Sequence, residues 1–153
     1  MTNSTFPSVA PTTQRQRWMQ ILSRAGASLE AHSVALRAHG HRYVRTPETG
    51  MVMVRGRMGG DGASFNLGEM TVTRCVVQLD DGTTGHSYIA GRSHLRAELA
   101  ALADALLQGA QAQYWQEALI APLRTEQQTL AAKRAMEAAG TQVDFTTLVR
   151  GED

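Results

Sequence analysis

The sequence predicts an α+β domain: an antiparallel sheet of three or four strands, with N-terminal helices before it and extended C-terminal helices after it. Three observations carry this. Apolar residues recur at helical spacing near both ends, as in Trp18, Ile21, Leu22 and Ala25 and again in Leu95, Leu99, Leu102 and Leu106. The middle changes to strand-like runs, Met51 to Met58, Leu67 to Asp80 and Thr84 to Gly91, set apart by turn residues. Between the last two lies Asp81-Gly82, a strong two-residue hairpin signal.

The elements follow in order. Residues 1–13 hold Ser, Thr, Asn and two prolines and read as a disordered tail. A helix from Gln14 ends at Gly26, whose freedom at positive φ suits a helix stop. A second helix is expected from Ser28 to Ala38, with Leu29, Ala31, Val34, Ala35 and Leu36 on its apolar side and Gly40 after it. His41 to Thr46 reads as a short strand, Pro47 to Gly50 as a turn, and Gly59 to Asn66 as a glycine-rich loop. A two-residue loop at Asp81-Gly82 would pair Leu79 with Thr84, Val77 with His86, Cys75 with Tyr88 and Thr73 with Ala90. Val72, Arg74, Val76, Ser87 and Ile89 then share the opposite face. Both faces are partly apolar, so cover by helices or a partner chain is expected on each.

Ser93 can cap the helix that carries Leu95 to Leu106. A further run from Gln111 to Ala121 is interrupted by Pro122, and Thr125 with Gln128 resembles the capping box of a last helix ending near Gly140. Between Thr125 and Gly140 the only large apolar side chains are Leu130 and Met136, so that helix gains little by self-packing. Residues 141–153 include Val143, Phe145, Leu148 and Val149, more apolar than a free tail, and read as a docking segment. The expected organisation is a tail, one domain over residues 14–140, and this C-terminal segment.

A chain of 153 residues buries roughly 70% of its unfolded surface and needs no covalent staple. The net charge of +1, without a basic stripe carrying aromatics, argues against nucleic acid and anionic membranes as partners. No apolar run approaches the length of a membrane span, and the opening residues lack the charged and apolar regions of a secretion signal, so a cytoplasmic location is expected. The one cysteine, Cys75, sits within a strand pattern and reads as a small buried hydrophobe. The histidines at 32, 39, 41, 86 and 94 show no metal-ligand spacing, so no metal site is expected.

The densest chemical cluster is Arg55, Arg57, Gly59, Gly60, Asp61 and Gly62, followed by Glu69 and Arg74. Glycines let backbone amides approach an anion, and arginines offer bidentate donors for phosphate. Asp61 and Glu69 could serve as an acid–base pair or hold a nucleotide's Mg²⁺. The plainer reading is a long hairpin loop with its carboxylates paired to nearby arginines, because no Gly-Lys-Ser/Thr ending and no following helix complete a phosphate loop. Arg74 lies among Val72, Val76 and Ile89, so its charge must find a carboxylate, a ligand or an interface.

The segments Glu48-Thr49-Gly50-Met51-Val52-Met53, Arg57-Met58-Gly59-Gly60-Asp61-Gly62 and Phe65 to Arg74 resemble the PhnG family. Arg15 to Met19, Gly91-Arg92, Leu119 to Leu123, Val143 to Phe145 and Val149 to Gly151 resemble it too, so the likeness runs from Arg15 to Gly151. The resemblance implies a small subunit of the carbon–phosphorus lyase core complex, cytoplasmic, acting with PhnI-, PhnH- and PhnJ-like subunits and an ATP-binding-cassette-like partner. It implies an accessory part in transferring a phosphonate onto the ribose C1 of ATP with release of adenine, MgATP being a substrate of the complex. The iron–sulfur cluster and S-adenosylmethionine of the later bond cleavage belong to a partner, and no cofactor is expected on this chain alone. Self-association within the complex is also expected. The resemblance assigns no catalytic residue, so the arginine–glycine cluster rests on the residues themselves. The alternative is a stand-alone binder of small phosphate esters.

Overall fold

A computed structural model describes residues 13–59 and 62–141. The order is α1 (Gln14–Leu22), a 3₁₀ turn (Gly26–His32), α2 (Ser33–Arg37), β1 (His41–Arg57), β2 (Ser64–Leu79), β3 (Thr84–Ala90), α3 (His94–Leu106), α4 (Ala112–Trp115), a π turn (Gln116–Ile120) and α5 (Ala121–Gly140). The architecture is α+β, as expected, with one antiparallel sheet of three strands in the order β1-β2-β3.

Helix α3 is the centre of the packing. Every residue from Ala97 to Leu106 is buried, so the helix is enclosed on all sides rather than along one stripe. The sheet covers one side through Cys75, Val77 and Ile89, and Trp18, Leu22, Leu29, Leu36, Trp115 and Leu119 cover the rest. The sheet can lie this close because β3 carries Gly85. A Cβ there would sit 2.0 Å from the Ala101 carbonyl oxygen. Ser87 completes the seam by donating to the Ala97 carbonyl at 2.6 Å.

Ser93 caps α3 as expected, accepting from the Arg96 amide at 3.2 Å. Thr13 caps α1 in a reciprocal box with Gln16. In the second helical segment only Leu29 and Leu36 are buried, and Val34 is 84% exposed. A 3₁₀ turn has three residues per turn, so the expected continuous apolar face does not line up.

Four local expectations are corrected. The hairpin loop is Asp80–Gly82, three residues, closed by Leu79 N–H to the Thr83 carbonyl at 2.9 Å, with Gly82 at φ 90. Gln78 therefore pairs with Thr84, Cys75 with Ser87 and Thr73 with Ile89. The one-residue shift turns Ser87 and Ile89 onto the helix face and His86 and Tyr88 away from it. On that other face Tyr88 is 47% exposed, whereas Val72 is buried.

The segment Pro47 to Gly50 is not a turn but part of a single long β1. The register slips between Tyr43 and Arg45 and between Arg45 and Glu48, which places Pro47, lacking an N–H, in a bulge. Pro122 does not interrupt the last helix either. The π turn before it, with Ala121 N–H donating to the Gln116 carbonyl, widens the helix where the proline ring would otherwise clash. Thr125 lies inside α5 and donates to the Ala121 carbonyl at 3.1 Å instead of capping.

Candidate functional site

Beyond Ala90, the last residue of β3, strands β1 and β2 continue alone as a two-stranded arm. Its two-stranded rungs run from Met51–Thr71 to Arg57–Ser64, on the order of 20 Å. Two strands by themselves are marginally stable in water. This arm exposes large apolar side chains: Met51 and Leu67 are each 67% exposed, and Met53, Phe65 and Met70 are exposed as well. Paired residues share a face, so Val52, Met70, Gly56 and Phe65 lie on one side. Met51, Met53, Glu69, Arg55 and Arg57 lie on the other.

A bulge between Val54 and Arg55 brings Arg55 opposite Asn66 and Arg57 opposite Ser64 near the tip. The expected loop is thus shorter, because β2 already begins at Ser64. Gly59 has φ 61, and Gly62 N–H donates to the Met58 carbonyl at 2.9 Å. Gly60 and Asp61 lie outside the described residues. Among the described residues Arg55, Arg57 and Glu69 form no ion pair. Arg74 stands apart from them, on the opposite face and near the arm's base. Its Nε donates to Glu48 at 2.6 Å, so the partner its charge requires is a neighbouring carboxylate.

The deepest polar chemistry lies elsewhere, in two carboxylates of α3 that sequence reading passed over. Asp104 is fully buried. It accepts from Arg15 Nη2 at 2.7 Å, Trp18 Nε1 at 2.8 Å and the His86 amide at 2.9 Å. It therefore joins α1, α3 and β3. Glu98, 5% exposed, accepts from Arg37 Nη2 at 2.6 Å and Nε at 2.9 Å. Both groups serve the fold; neither opens onto the arm.

Burial alone would raise the Glu98 carboxyl. The hydrogen bond and charge of Arg37, with Tyr43 and His41, outweigh it and hold the carboxyl below its usual range. A depressed carboxylate adds stability above its unfolded pKa of about 4.3 and loses it as pH falls through the folded value. Glu98→Gln is thus expected to be less stable than wild type at pH 7, with the gap closing below about pH 4. Denaturant titrations at both pH values measure this.

Cys75 is buried, and burial followed by the charge of Glu98 pushes its thiol up to about 11, which leaves it unreactive at neutral pH. The histidines make structural contacts: His94 meets Thr49 at 3.2 Å, and His39 packs edge-on against Trp115. Among the described residues no group of three His, Cys, Asp or Glu could hold a metal ion, and no helix is long and apolar enough to cross a membrane.

The family model described as "Phosphonate metabolism protein PhnG" matches residues 13–151, which include the arm, α3 and α5. The chain belongs to the PhnG family. It is 44% identical over 148 residues to the alpha-D-ribose 1-methylphosphonate 5-triphosphate synthase subunit PhnG of Rhizobium meliloti (strain 1021), covering 94% of each chain. In this PhnG-family chain Arg55, Arg57, Gly59 and Gly62 lie near the arm tip.

Proposed function

We propose that this chain is an accessory subunit of the assembly that couples a phosphonate to the ribose C1 of ATP and releases adenine, within the carbon–phosphorus lyase core complex. The observation that carries the reading is the arm, which exposes apolar side chains on both of its faces. An exposed apolar surface of that kind marks a site of contact with another protein. The proposed partners are PhnI-, PhnH- and PhnJ-like subunits and an ATP-binding-cassette-like protein. MgATP is a substrate of the whole, and the iron–sulfur and S-adenosylmethionine chemistry belongs to a partner. Co-expression with a tagged PhnI-like chain tests this. The expected result is a stable complex that survives size exclusion; a chain that stays monomeric and ignores the PhnI-like partner contradicts it.

A second reading is favoured by two arginines on one face of the tip that form no ion pair among the described residues. Here Arg55 and Arg57 grip the triphosphate or phosphonate once the assembly forms, while Asp61 and Glu69 hold the nucleotide's Mg²⁺. Arg55→Ala and Arg57→Ala would then each lower turnover by at least about tenfold while the complex elutes unchanged. Unaltered turnover removes the site role and leaves the subunit role in place.

A further inference from the structure

Strand β3 is the edge of the sheet, and its outer side is only half closed. Antiparallel pairing with β2 uses its odd residues, as Gly91 N–H to the Thr71 carbonyl shows, so the even residues point outward. Two of these outward groups have partners: the His86 amide donates to Asp104, and the Thr84 carbonyl accepts from Gln108 at 3.1 Å. Among the described residues the amides of Tyr88 and Ala90 have none. Alongside them runs a cleft of about 410 Å³ between α1 and β3, with Met19, Leu22, Ile89 and Ala100 in its lining. A second cleft of about 230 Å³ continues it past Ala90, sharing Leu22, Ser23 and Ile89. An unpaired strand edge beside an apolar groove is the arrangement that accepts an added strand.

We propose that the occupant is the segment Val143–Val149 of a second copy of this chain, added as a strand to the edge of β3. Val143, Phe145, Thr147 and Val149 alternate with Asp144, Thr146 and Leu148, the pattern of a strand with one face turned to a groove. The path of the chain selects the second copy over the same one. Gln127 ties α5 to the Ile21 carbonyl at 2.8 Å, beside the groove, and α5 then runs on with its residues exposed to Gly140. That stretch carries the chain about 20 Å away. Returning would take about six extended residues and consume Val143 and Phe145 before they reached the cleft.

The proposal stands apart from the subunit reading, because it concerns the isolated full chain. Two variants test it by light scattering after size exclusion. Tyr88→Pro removes an outward amide that β2 does not use, which an edge strand tolerates. Phe145→Asp places a charge in the docking segment. The expected results are wild type at twice the 16.6 kDa of one chain, and dimerisation weakened by at least about tenfold in each variant. Mixing the two variants should restore a dimer, since one supplies an edge and the other a tail. A monomeric wild type, variants that keep the wild-type mass, or a mixture that stays monomeric would each overturn it.

Discussion

Asp104→Ala is expected to be the most damaging single substitution in the fold. It removes the acceptor that Arg15, Trp18 and the His86 amide share and leaves their donors facing a cavity. Removing one partner of a buried pair costs about 3–5 kcal/mol, because the groups left behind stay desolvated. The exposed side of Arg15, 39% accessible, puts the loss toward the lower end. At about 2–4 °C per kcal/mol for a domain of this size, the melting temperature should fall by roughly 10 °C. Asp104→Asn keeps one acceptor and should fall between. Calorimetry or circular dichroism on the purified chain reads both, and a change below about 1 kcal/mol for the alanine variant would contradict the role given to this carboxylate.

The second large effect concerns assembly rather than folding. Phe65 and Leu67 are exposed in the chain alone, so Phe65→Ser with Leu67→Ser should change its melting temperature little. If the arm enters a partner, the same pair of changes removes buried anchors from an interface. Such anchors are worth about 2 kcal/mol or more each, so affinity should fall by a hundredfold or more. Val34→Ser is the control, since Val34 is 84% exposed on α2, away from the arm, and should leave assembly untouched. Binding is read by titrating labelled chain into the PhnI-like partner.

The sequence was legible where local chemistry and tertiary packing agree. Trp18, Ile21, Leu22 and Ala25 are buried at their helical spacing, and Ser93 caps α3. It misled where one cue fits two geometries. Asp80-Asp81-Gly82 accepts a loop of two residues or of three, and the one-residue difference exchanged the faces of β3. Pro47 and Pro122 read as breaks, yet a bulge and a π turn absorb them, and both depend on hydrogen bonds made by neighbours. Thr13 with Gln16 was a readable capping box hidden by the polar tail before it.

The buried carboxylates left a fainter trace. Glu98 and Asp104 interrupt an otherwise apolar run, which marks them as unusual, but their arginines lie far away in sequence, at Arg37 and Arg15. The grouping of Arg55, Arg57 and Glu69 on one face follows from strand alternation and the bulge. The separation of Arg74 needed the register, because its distance from the tip is invisible until β1 and β2 are paired.

Hydrogen exchange across the arm tests the central claim most directly. Amides of Met51–Arg57 and Ser64–Met70 should exchange quickly in the isolated chain, since a two-stranded ribbon opens readily. In the assembly with the PhnI-like partner they should slow by at least about a hundredfold, while those of α3 stay protected in both. Equal rates on the arm, alone and assembled, would show that nothing covers it.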